Sequence, residues 1–162
     1  MLFRSYKQYV RPHLEFATAA WSPWTAADKE SLEKVQKRAV RMVSGLKSDN
    51  YEERLRELGM VTLEERRHQI DMQQTHKILH GVDRVKKETW FTMAGDGQRM
   101  TRQATNPWNI WPQPARLDIR KNFFSNRVIS GWNAIPQAIQ EKQKPRDFKM
   151  AYKKHRATVV LS

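Results

Sequence analysis

His76 and His80 stand four residues apart on a segment of helical periodicity, the spacing at which two imidazoles can meet one metal ion. A third ligand is missing in any convincing form. Glu64 and Asp71 lie turns away, no glutamate follows His76 directly, and the chain has no cysteine. The expectation is therefore that these are histidines of packing or surface, near a helix end where a partial positive charge is favoured. Other catalytic chemistry has as little support. The chain has no Gly-x-Ser-x-Gly elbow, no phosphate-cradling glycine loop and no paired-carboxylate signature. The absence of cysteine excludes disulfides, zinc knuckles and thiol nucleophiles.

What remains is charge. The formal net charge is +13, and it is uneven: residues 1–81 carry 14 Lys+Arg against 11 Asp+Glu, residues 82–162 carry 16 against 6. A half-chain this basic points to a polyanion, because each neutralised phosphate releases counterions. Lys34, Lys37, Arg38 and Arg41 form a stripe within about two helical turns, which suits a phosphate backbone. The same stripe also reads as a plain solvated face. Arg116, Arg120, Lys121 and Arg127 lie beside Phe123, Phe124 and Trp132, with Phe123 and Trp132 expected in the core and the arginines outside. Arg66 and Arg67, in the first turn of a helix, are expected to pair with Glu64, Glu65 or Asp71.

These residues need helices to hold them. Apolar residues from Tyr6 to Trp21 recur near a helical period, with Pro12 expected to kink or split the segment. Thr25 with Asp28 caps a second helix that Gly45 stops; Leu32, Val35, Ala39, Met42 and Val43 should form its buried face. Asn50 with Glu53 opens a short helix ending at Gly59, and Thr62 with Glu65 opens a longer one running to Gly81. From 82 to 116 the periodicity decays among Gly95, Gly97, Pro107, Pro112 and Pro114, which reads as a long loop, with room for a short hairpin joining Trp90-Phe91 to Trp108–Trp111. Trp108 and Trp111 suit either a recognition groove or a loop pinned to the core. Ile119, Phe123, Val128 and Trp132 predict a helix ending before Pro136, and a last helix is expected over about Pro145–Arg156, dense in Lys and Arg.

The fold class expected is mainly α: a small helical bundle over 1–81, a loop or linker over 82–116, and a basic helical segment over 117–162. No apolar run of transmembrane length and no apolar signal core occur, so a nuclear or cytoplasmic protein is expected, neither secreted nor membrane-bound.

One ordered series of motifs goes further. Val10-Arg11-Pro12-His13-Leu14-Glu15-Phe16, Trp21-Ser22-Pro23, Leu32-Glu33-Lys34-Val35-Gln36-Lys37-Arg38-Ala39, Gly45-Leu46, Tyr51-Glu52-Glu53-Arg54-Leu55 and Leu63-Glu64-Glu65-Arg66-Arg67 succeed one another. Asp118-Ile119-Arg120-Lys121-Asn122-Phe123-Phe124, Trp132-Asn133-Ala134-Ile135-Pro136 and Phe148-Lys149 come later. This order and spacing resemble the thumb and post-thumb region of LINE-type (non-LTR) retrotransposon reverse transcriptases of the jockey and chicken-repeat kind, from about Tyr6 to Tyr152. The resemblance implies a parent RNA-directed DNA polymerase that uses magnesium, with its catalytic aspartates and first thumb helices upstream of Met1. It implies that this stretch neither polymerises nor needs a cofactor of its own. Its partners would be RNA and DNA as the template-primer duplex, and the rest of the enzyme, with no membrane or small-molecule substrate. Lys34, Lys37, Arg38 and Arg41, then Arg120, Lys121 and Arg127, would be the contacts. The stretch Asn106–Pro114 departs from the family, being richer in Trp and Pro. A reading from another class is a retroelement-derived helical protein-interaction module with no polymerase role.

Overall fold

The computed structural model describes residues 2–94 and 106–161, and among them the fold is mainly α, with no strand. The chain divides into two compact units, 1–70 and 71–162. The division falls inside a helix, eleven residues before the boundary at 81 that turn residues suggest, because the second half of that helix packs with residues C-terminal to it.

The first unit begins with α1 (Leu2–Ser5), a π-helical turn (Tyr6–Val10) and α2 (Arg11–Glu15). Pro12 does not split this segment. The backbone stays helical, because the amide of Arg11 bonds the carbonyl of Tyr6, one residue further back than in an α-helix. That widened turn makes room just before a ring that cannot donate and that crowds the carbonyl of residue i−4.

The N-caps written into the sequence are formed, whereas the helix that Thr25 opens ends at Arg41, four residues before the Gly45 expected to stop it. The Thr25 hydroxyl accepts from the Asp28 amide at 3.2 Å to open α3 (Ala26–Arg41), and Asn50 Oδ1 accepts from Glu52 and Glu53 to open α4 (Tyr51–Glu57). Thr62 accepts from Glu65 to open α5 (Leu63–Leu79). Gly59 and Gly81 take the left-handed conformation that ends α4 and α5. Around each, the next amide reaches back over the last turn, Met60 to Leu55 and Val82 to Lys77, both at 2.8 Å.

The buried face of α3 differs from the expected one. Gln36 and Val40 are buried, whereas Val35 is 40% and Met42 53% exposed. The core side is turned toward Gln36 and Val40, while Ala39 of the expected stripe still packs against the core and Leu32 and Val43 are half-buried. The cause is a polar hub. Gln36 Oε1 accepts from the Tyr6 hydroxyl at 2.9 Å, and its amide nitrogen meets the Tyr51 hydroxyl and the Val61 carbonyl at 3.0 Å each. Tyr51 donates to Glu33, whose other oxygen accepts the Leu63 amide at 2.9 Å in the first turn of α5. Tyr6, Val40, Leu55 and Met60 pack around this hub.

The second unit contains α6 (Lys87–Trp90), α7 (Asp118–Lys121), α8 (Phe124–Asn133), α9 (Gln137–Gln140) and α10 (Pro145–Leu161). The stretch expected to be a loop is pinned down. Met93 and Ile110 form one antiparallel bridge, flanked by Ala94 to Asn109 and Trp111 to Thr92 bonds of 2.8 Å. Gly95 and Gly97 lie outside the described residues. The single helix expected through Ile119 and Trp132 is two helices, broken at Asn122-Phe123. The break exchanges the rings: Phe124 is fully buried, while Phe123 is 39% and Ile119 75% exposed. Trp132 is buried as expected, with its indole nitrogen donating to the Trp108 carbonyl at 2.8 Å.

Candidate nucleic-acid interface

The two histidines belong to the second unit's core. His76 stacks on His80 at 4.2 Å and on Phe148 at 4.3 Å, His80 stacks on Trp108 at 4.3 Å, and Phe148 stacks on Tyr152 at 5.6 Å. Each imidazole gives its Nε2–H to a backbone carbonyl, His76 to Lys142 at 2.5 Å and His80 to Gln140 at 2.8 Å. That leaves only Nδ1 of each ring with a lone pair. No group of three His, Cys, Asp or Glu among the described residues could hold one. Burial lowers the His76 pKa to about 4, with His80 adding a smaller repulsion against the bond to Lys142. Its Nδ1 is buried without a partner among the described residues, so a second proton there would go unanswered. Trp108 is thus pinned to the core by its ring and by its carbonyl.

The α3 stripe divides. Lys37 is half-buried, pairs with Glu30 at 2.9 Å and lies 5.6 Å from the centre of the Tyr51 ring. Lys34, Arg38 and Arg41 are exposed and make no ion pair among the described residues. They lie at i, i+4 and i+7 on the side of α3 away from Gln36 and Val40, spread along about 10 Å of helix axis. Arg41 also reaches a cleft of about 280 Å³ lined by Lys37, Asp49, Tyr51 and Arg54.

The second set is largely committed inside the protein. Arg127 forks onto Asp71 with two bonds of 3.0 Å, gives a third of 3.2 Å to the Asn122 carbonyl and lies over the Phe124 ring. The two side chains are only 17% and 8% exposed. The arginine expected outside is therefore a partly buried fastening, because a carboxylate 56 residues away in sequence folds against it. Lys121 is exposed but pairs with Asp118 at 2.9 Å, and Arg120 bonds Gln113 at 3.1 Å beside the Phe123 ring. Lys121 and Arg127 share a cleft of about 850 Å³ with Trp111, Asn122, Asn126 and Asn133. With both cations matched by aspartates, that cleft presents amides more than positive charge.

Arg66 and Arg67 reach partners far back in the chain, Arg66 a carboxylate and Arg67 two backbone carbonyls. Arg66 meets Glu15 at 3.0 Å, an oxygen that also takes Arg11 at 2.5 Å. Arg67 is buried, donates to the carbonyls of Leu14 and Trp21, and stacks on the Trp21 ring at 4.2 Å. Among the described residues no helix is long and apolar enough to cross a membrane.

The cations of 142–154 have no expected role in the sequence beyond their density, yet they too are open. Lys142, Lys144, Arg146, Lys149, Lys153 and Lys154 are all exposed, and none forms an ion pair among the described residues. The excess charge of the second half-chain is the signal that points to them. Comparison of the chain with models of known families, with curated proteins and with solved structures found no match.

Proposed function

We propose that this chain is a nucleic-acid-binding piece of a LINE-type reverse transcriptase that holds the template-primer duplex by its phosphate backbone and carries no catalytic set of its own. Two separate supports stand behind the reading. The enzyme family rests on the order and spacing of the motifs from Val10 to Lys149. The binding role rests on one observation: Lys34, Arg38 and Arg41 project from one side of α3 with no carboxylate paired to them among the described residues. Contacts of this kind position a protein on a duplex by geometry and charge, and carry no sequence information.

The direct test is a salt titration of the full chain on an RNA–DNA hybrid and on duplex DNA. Affinity should fall steeply with salt, and replacing Lys34, Arg38 and Arg41 by glutamine should make the log–log slope shallower by about 2 to 3 units. Absence of binding at low salt contradicts the reading. A reading frame that carries adjacent catalytic aspartates upstream of Met1 would support the enzyme assignment, and a transcript beginning just before Met1 would count against it.

A second reading has one observation in its favour. Val35 and Met42 are exposed beside the cations of α3, giving a mixed apolar and basic face of the sort that docks on another protein. Binding that survives high salt and is lost on Val35→Ser with Met42→Ser would favour this protein-interaction module.

A further inference from the structure

We infer that α10 forms a second, independent contact surface for a nucleic-acid backbone, made by Arg146, Lys149 and Lys153. This extends the proposed function to the second unit and shares its premise that the chain binds nucleic acid.

The helical period sets the two sides of α10. Phe148 and Tyr152 are buried, with His155 half-buried, which fixes the inward side. Arg146, Lys149 and Lys153 fall at i, i+3 and i+7 on the opposite side, with Lys154 at its edge. Lys142 and Lys144 precede the helix and are exposed. Against these stand Glu141 and Asp147, and neither forms an ion pair with them. Like charges at such spacing repel one another in an isolated helix. A bound polyanion removes that repulsion and releases its own counterions.

Chemistry selects among polyanions. An anionic membrane surface binds a basic helix that also offers an apolar side, and here that side is used: Phe148 and Tyr152 lie in a cluster of rings with His76 and Trp132. Met150 is the one large apolar side chain among the exposed cations from 146 to 154. The same burial removes the rings on which single-stranded bases would stack. A straight row of cations without rings suits the phosphates of a duplex, read without regard to sequence.

The test uses the full chain with Arg146→Gln, Lys149→Gln and Lys153→Gln combined, beside the α3 triple variant. Duplex affinity is measured over a series of salt concentrations, with binding to anionic-lipid vesicles as a parallel arm. The α10 variant should lose about 2 to 3 units of slope and bind the duplex on the order of tenfold or more weakly at low salt. Should the triple variant not fold, Lys149→Glu alone carries the test, with an expected loss of about one unit or more. An unchanged slope for the α10 variant, while the α3 variant flattens, overturns this inference and leaves the proposed function standing. A larger loss on vesicles than on duplex overturns it in favour of lipid. A wild-type chain that binds no duplex at low salt overturns both.

Discussion

The two units bury their centres by different chemistry. In the first, a glutamine sits where a leucine would be expected, and Gln36, Tyr6, Tyr51 and Glu33 hold four segments of chain through one connected set of hydrogen bonds. Burial raises the pKa of both tyrosines, and for Tyr51 the bond to Glu33 adds to the effect. In the second, Trp108, His80, His76, Phe148 and Tyr152 stack in sequence, and the polar groups act around the stack, fastening carbonyls at its edge. A polar centre hides from hydrophobic periodicity, and a ring-rich centre shows its rings without showing which of them go in. Cations left outside each centre then differ in what they are free to do.

The largest expected effect concerns Arg127. Asp71→Asn should destabilise the second unit by about 3 to 5 kcal/mol, because it leaves a partly buried guanidinium without its counter-charge. Denaturant unfolding at neutral pH checks this, and a loss of duplex affinity without a loss of stability would return Arg127 to the binding set.

The next concerns the ring stack. His76 has a folded pKa of about 4 against an ordinary value of 6.5, so the unfolded chain binds the proton first as pH falls. Its contribution is fully present above pH 6.5 and is lost between there and pH 4, amounting to about 3 kcal/mol. Subtracting the unfolding free energies of His76→Gln from those of the wild type across this range isolates it. A flat difference would mean that the ring accepts its second proton inside the fold.

In the first unit, Gln36→Leu should cost about 2 kcal/mol despite being more hydrophobic, since two tyrosine hydroxyls and a carbonyl lose their partner. A stabilised variant would show that the polar hub is dispensable and that the two centres are alike. Smallest in stability are the outer cations. Replacing Lys34, Arg38, Arg41, Arg146, Lys149 or Lys153 singly by glutamine should change the denaturant-unfolding free energy by less than about 0.5 kcal/mol. Their effect belongs to binding.

Much of the scaffold was legible because its signals are local. Thr25, Asn50 and Thr62 announce helix starts through side chains that reach amides two or three residues on, and Gly59 and Gly81 announce ends through a backbone conformation that other residues resist. The rest depended on partners distant in sequence. The rotation of α3 comes from Tyr6, thirty residues before Gln36, and the loss of Arg127 from the surface comes from Asp71. Phe123 and Phe124 are adjacent rings, and only the break between α7 and α8 decides which enters the core. Of the seven cations expected as contacts, Lys34, Arg38 and Arg41 stay open, while Lys37, Lys121 and Arg127 have carboxylate partners and Arg120 an amide.

The central claim is that the unpaired cations, and not the paired ones, meet a nucleic-acid backbone. Lysine acetylation of the full chain, with and without saturating duplex at low salt, tests it residue by residue. Lys34, Lys149 and Lys153 are predicted to lose reactivity on binding while Lys37 and Lys121 keep theirs. Protection of Lys37 and Lys121 with Lys34, Lys149 and Lys153 unchanged would contradict it.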